Sequence, residues 1–239
     1  MLRKDYIRFL HYAEKELPEG YVIRSAHNNE KHKQLIVRIN NGTSINVDSD
    51  YLTKYHGCPY AVGVDLFISD YIPLDKDEEI LQLHLIFATF AANREWDDEE
   101  IPMEVKLQNL RDIEEMCNIT FTDDKPIKQQ LLILCDQLCA MYWDINATEV
   151  TYMTKLVSMP FYRLPISCYE STIDVPFETT TIPVPIGYDE MLRLRYDDNY
   201  MIPKRDPSSH DYPFYKKQEA ALRERFEKEN LPFPKFFEE

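Results

Sequence analysis

The residue most in need of a chemical explanation is Asp65, an acid inside the apolar run from Tyr60 to Ser69. A carboxylate in such a strand must be paired, hydrogen-bonded or bound to a cation, because desolvating it costs several kcal/mol even after relaxation. One chemistry that meets this need is a divalent metal shared with other acids in a cleft, with Asp70 at the end of the strand assisting or orienting. The other is structural: a salt bridge to a buried arginine such as Arg38, or a strand edge where Asp65 meets water. A second constellation is Tyr196-Asp197-Asp198, flanked by Arg193, Arg195, Tyr200 and Lys204. That mixture can grip a phosphate or a base, or form a solvated face of weak ion pairs. No P-loop, G-x-G-x-x-G, H-E-x-x-H or Ser/His/Asp pattern occurs, and the isolated histidines show no ligand spacing. His84, at helical spacing in an apolar segment, reads as a core residue. Five cysteines, an odd and scattered set without C-x-x-C, support neither a disulfide framework nor a zinc site. Cys135 and Cys139, four apart among leucines, read as core thiols.

The elements that must position these residues follow from periodicity. Tyr6, Phe9, Leu10 and Ala13 predict a short amphipathic helix over Asp5 to Leu17, stopped by Pro18-Glu19-Gly20. Tyr21 to Ser25, Gln34 to Ile39 and Thr43 to Val47 read as strands of a small antiparallel sheet, with Asn40-Asn41-Gly42 as a hairpin turn. Tyr60 to Ser69 reads as a buried strand. Apolar residues then recur at three and four: Ile80, Leu81, Leu83, Phe87 and Phe90, then Val105, Leu107, Leu110, Ile113 and Met116, then Leu131, Leu134, Leu138 and Tyr142. Three helices are predicted, the third capped by Asp123-Asp124-Lys125-Pro126. Beyond Ser158 prolines punctuate an extended wrap, with a short helix over Tyr188 to Arg195 and a charged one over Lys216 to Lys228.

The whole composition bounds the function. The chain has 239 residues, 27 Lys+Arg against 42 Asp+Glu, a formal charge of −15 and a pI near 4.9. Such a surface repels phosphate backbones, so nucleic acid is not an expected partner, and a phosphorylated ligand needs local cations or a metal. With 44% hydrophobic and 13% aromatic residues the chain supplies a real core, yet no apolar stretch is long enough to span a bilayer. A cytoplasmic protein is expected.

The segment Val62-Gly63-Val64-Asp65-Leu66-Phe67-Ile68-Ser69-Asp70 resembles the G-[IV]-D-[IL]-F-P-L-D element of the LicD family, which transfers phosphocholine from CDP-choline to cell-surface glycans. Met1 to Phe9 is similar to the family's M-x-R-x-D-Y-x-x-F, and Val184 to Pro203 resembles its P-V-P-x-x-Y…L…Y-G-D-x-[YW]-M-x-P ending. Order and approximate spacing agree from Met1 to about Pro203. Asp197 stands where the family has Gly, and Ser69 where it often has Leu.

The resemblance implies an α+β fold: a partial nucleotidyltransferase-like mixed sheet, then a helical region and a Pro-rich C-terminal wrap. Residues 1–203 would form the transferase domain and 204–239 a charged helix and tail. It implies Mg²⁺ as cofactor with Asp65 as its ligand and catalytic carboxylate. Arg38, Asp70, Tyr196, Asp197 and Asp198 are the expected donor-binding residues, with a CDP-choline-like donor and a glycan acceptor as partners. Family members also carry, ahead of M-x-R-x-D-Y, a Gly-Gly-Thr/Ser turn and an acidic W-D-D-D-[IV]-D strand, which this sequence lacks. The expectation is a domain missing its first ~60 to 80 residues, about half a typical domain, with those strands supplied upstream or by a partner chain. The alternatives are a catalytically dead remnant and an acidic protein-binding adaptor.

Overall fold

In the computed structural model, residues 1–41, 46, 48–54, 63–143, 146–203 and 216–232 are described. Thr43-Ser44-Ile45 and the hairpin glycine Gly42, like Cys58 and Tyr60, lie outside them. The fold is mixed α/β, with helices and small sheets. Two compact units emerge, one of Met1–Leu17, Ile23–Arg38 and Asp65–Tyr200, the other of Pro18–Val22, Ile39–Val64 and Met201–Glu239.

Helix α1 (Arg3–Glu16) ends where Pro18 stops the ladder, and Gly20 takes a φ of 88° that a side chain would disfavour. Strands β1 (Val22–Arg24), β2 (Val37–Asn40) and β3 (Gly63–Leu66) form a sheet in that order. β2 alternates as expected of a half-buried strand, with Val37 and Ile39 inside. β3 departs from the buried strand predicted: Gly63, Val64 and Asp65 are exposed, and burial begins only at Ile68. The physical reason is its place at the end of the strand order among the described residues; Gly63 lies so close to β2 that a Cβ there would stand 2.0 Å from the Ile39 carbonyl oxygen. A short helix, α2 (Ser49–Lys54), belongs to the second unit.

β4 (Asp70–Tyr71) pairs antiparallel with β5 (Glu149–Thr151), and β5 with β6 (Leu164–Pro165), in registers that set Asp70 opposite Thr151 and Val150 opposite Leu164. The predicted helical region is α3 (Lys76–Glu95), α4 (Met103–Cys117) and α5 (Ile127–Cys139). Asp75 caps α3 by accepting from the backbone N–H of Asp77 at 2.8 Å and of Glu78 at 3.2 Å. α4 closes on Asn118, which adopts a left-handed φ of 51°. The cap expected at Asp123-Asp124 is absent: α5 starts from Pro126 with no side-chain cap, and Asp124 accepts from the Thr122 hydroxyl instead.

The core joins Leu85 and Ile86 of α3, Leu110 and Ile113 of α4 and Leu131 and Leu134 of α5. Cys135 and Cys139 lie in it as predicted, and the hydrogen bond from Cys135, with burial, pushes the Cys139 thiol well above its usual range. α3 itself differs from the sequence expectation. Ile80, Leu81, His84 and Phe87 face outward, while Gln82, Thr89 and Asn93 face inward. The inward amides are recruited to backbone: Gln82 Nε2 donates to the Leu138 carbonyl at 2.9 Å at the end of α5, and Asn93 Nδ2 to the Lys128 carbonyl at 2.8 Å at its start.

After α6 (Met153–Ser158) and a 3-10 turn at Ile166–Tyr169, β7 (Thr172–Phe177) and β8 (Thr180–Pro185) form a two-stranded antiparallel ribbon. Both of its strands are edges, which is where prolines such as Pro176 and Pro183 are tolerated. α7 (Tyr188–Tyr196) docks on the 3-10 turn through the Gly187 N–H, which donates to the Cys168 carbonyl at 3.1 Å. α8 (Lys216–Lys228) matches the charged helix predicted. Among the described residues no helix is long and apolar enough to cross a membrane.

Candidate functional site

Asp65 stands on the edge strand β3 with 44% of its side chain exposed, and its Oδ1 lies 3.2 Å from Nε of Arg38, itself 47% exposed. Arg38 also donates from Nη2 to Gln34 Oε1 at 3.0 Å. The two predicted site residues therefore meet, and the structural alternative weighed for Asp65, an arginine partner at a wet strand edge, is what the side chains adopt. The guanidinium keeps much of its donor fork in water, a geometry suited to a phosphate oxygen.

Asp70 is elsewhere in chemical character. The first residues of the chain lie alongside the segment after β3: the Met1 amino group donates to the Phe67 carbonyl at 3.0 Å, the Ser69 N–H to the Met1 carbonyl at 2.8 Å, and the Arg3 N–H to the Ser69 carbonyl at 3.1 Å. This places the Arg3 guanidinium against Asp70, both buried, with Nη2 donating to Asp70 Oδ2 at 2.9 Å and Nε to Oδ1. The same Nη2 reaches Asp136 Oδ1 of α5 at 2.9 Å, and Asp136 Oδ2 lies 2.9 Å from Nε2 of His27. Ser25 fixes the His27 backbone through its Oγ, which accepts the His27 N–H at 3.3 Å.

Two carboxylates thus share one guanidinium, and their titrations separate. Burial pushes the Asp70 carboxyl up to about 6, against the pull of Arg3 and with a further push from Asp136. Burial works against the Asp136 carboxylate as well, but the hydrogen bonds and charge of His27 and Arg3 outweigh it and hold Asp136 below the ordinary range. His27 and Asp136 line a small pocket with Tyr6, Gln34, Val37 and Ile68, whose water-accessible volume of about 10 Å³ admits a single water. The assembly is a charge lattice, buried at Arg3 and Asp70 and open to water at His27, that fixes α1, the strand end and α5 together. Sequence reasoning missed Arg3, His27 and Asp136 as partners. The test applied to Asp65, an acid inside an apolar run, would have found Asp136 in Leu131–Cys139.

The C-terminal set closes on itself. Asp189 accepts from Arg193 Nε at 2.7 Å and from the Tyr200 hydroxyl at 2.6 Å, and Arg193 Nη1 reaches Asp198 Oδ1 at 3.2 Å. Arg193 lies 5.7 Å from the Tyr200 ring centroid, and Arg195 5.1 Å from that of Tyr196. Asp197 ends α7 at φ 68°, ψ 173°, a region that glycine alone occupies at little cost.

Mg²⁺ is the ion the family resemblance implies, and the described residues do not fit it. Asp65 is one carboxylate already balanced by Arg38, whereas the ion takes an octahedral oxygen shell usually anchored by one or two carboxylates and substrate phosphates. Among the described residues no group of three His, Cys, Asp or Glu side chains converges. Set against protein-family models, curated proteins and solved structures, the chain matches none.

Proposed function

We propose that this chain is the LicD-like body of a phosphocholine transferase: it binds a CDP-choline-like donor through Arg38 and presents Asp65 beside it. The observation that carries the reading is the backbone of Asp197. The family motif has glycine at this position, and this chain holds a non-glycine residue there in a glycine-only conformation. In support, the first two quoted motifs are neighbours in space, joined by the Met1 and Arg3 backbone bonds to Phe67 and Ser69. A nucleotidyltransferase-like arrangement of the sheet belongs to the same proposal. In this reading a donor diphosphate takes the exposed face of the Arg38 guanidinium and loosens its hold on Asp65, freeing that carboxylate to orient the acceptor hydroxyl.

The test is CMP release from CDP-choline with Mg²⁺ and a glycan acceptor by the protein isolated from its native source, beside its Asp65→Asn variant. Release that falls at least about 100-fold in the variant, the scale of a lost catalytic group, is expected. Equal release in both would remove Asp65 from the chemistry. A second reading, a protein-binding module without transfer activity, is favoured by the Arg38–Asp65 pair, which satisfies Asp65 without a ligand; it predicts no CMP release from either protein.

A further inference from the structure

Helix α3 buries Leu85, Ile86 and Ala92 in the core, yet it also turns several polar residues inward and leaves three large apolar ones outside. Glu79, Gln82, Thr89 and Asn93 are 6% exposed or less, whereas Ile80, Leu81 and Phe87 are 51%, 49% and 59% exposed. With 3.6 residues per turn, Asp77, Ile80, His84, Phe87, Ala91 and Arg94 fall on one stripe about 26 Å long. A stripe of this kind at three-and-four spacing is a helix-packing face, and nothing among the described residues occupies it.

The charges at its two ends identify the occupant. α3 opens on Lys76-Asp77 and closes on Arg94-Glu95, so the helix read backwards presents the opposite sign at each end position. Arg94 is exposed and makes no ion pair among the described residues. We infer that α3 is a homodimer interface, in which a second copy of the chain lays its own α3 antiparallel across the stripe, with a two-fold axis passing between His84 and Phe87. In that register Asp77 faces Arg94 of the second copy, Ile80 faces Ala91 and His84 faces Phe87, while Lys76 stays paired with Glu79 of its own chain at 2.7 Å. A two-fold contact makes every such pair twice, and a parallel arrangement would set Lys76 against Lys76 and Arg94 against Arg94. The small Ala91 opposite Ile80 lets the helices approach closely. Local complementarity also answers a global obstacle, since two chains of charge −15 repel each other everywhere else.

One helix pair is a contact at the small end of stable interfaces, so association in the micromolar range is expected. Sedimentation of the full chain from about 1 to 200 µM, a span bracketing such affinities, should show a rise toward twice the 28.4 kDa chain mass. Phe87→Glu should stay monomeric throughout. Arg94→Glu should weaken the dimer roughly threefold to tenfold by placing like charges opposite Asp77, and Asp77→Arg combined with Arg94→Glu should restore it. All of these positions are exposed, and circular dichroism verifies the fold of each variant. A monomer at every concentration, a dimer indifferent to Phe87→Glu, or a double variant as weak as Arg94→Glu alone would each overturn the interface.

Discussion

Arg3, not Asp70, is the keystone of the buried lattice, and two substitutions separate them. Arg3→Met leaves the buried Asp70 carboxylate without its cation, while half-buried Asp136 keeps His27, and should cost about 3–5 kcal/mol of unfolding free energy, measured in urea. Asp70→Asn behaves differently because the Asp70 carboxyl titrates near 6 in the fold against 3.8 when exposed. A raised folded value means that the native state binds the proton more tightly; its contribution is full below the unfolded value and is lost as pH climbs through about 6. Asp136, held low, works the other way and loses its contribution as pH falls toward its folded value. Wild-type stability should therefore drop between about pH 4 and 6.5 by roughly 1–3 kcal/mol more than that of Asp70→Asn; parallel pH profiles would show that Asp70 stays ionised throughout. Asp65→Asn, at an exposed pair, should change stability by less than about 1 kcal/mol. The sequence marked Asp65 and Asp70 through their odd setting, yet their fates diverged for a reason no local pattern carries. Asp70 meets Arg3 across 67 positions of chain, and Asp65 lies on an edge whose exposure depends on which strands neighbour it.

Helix punctuation was the most legible layer, since caps and breakers are local chemistry. Pro18, Pro126 and the apolar repeats located α1, α3, α4 and α5 within a few residues, and the short helix over Tyr188 to Arg195 and the charged one over Lys216 to Lys228 coincide with α7 and α8. The side each helix buries was less legible, and α3 shows why: its inner amides donate to carbonyls at both ends of α5, a demand set by the partner helix. Two glycine-type positions test the C-terminal elements. Asp197→Gly should stabilise the fold by about 1 kcal/mol in thermal unfolding, by relieving its φ of 68°. Gly187→Ala should destabilise it by about 1–3 kcal/mol, because the new Cβ would stand 2.5 Å from the Cys168 Cα and push α7 off its turn.

At the scale of the molecule, composition was enough for an acidic globule with an ample core, because bulk burial depends on counts more than on order, while the mix of helices and strands came from periodicity. The arrangement of its strands escaped the sequence: a single mixed sheet was expected, and the described strands divide into sheets of three, three and two. Strand pairing is long-range, so hydropathy gives each strand's faces but not its neighbours. The two thiols of α5 open a route into the molecule. Cys135 and Cys139 are 1% and 5% exposed, so an alkylating reagent must wait for the helix to part from the core. The rate at which these two positions acquire a label, followed by peptide mass, is thus a built-in clock for core opening, and it needs no probe beyond the cysteines already there.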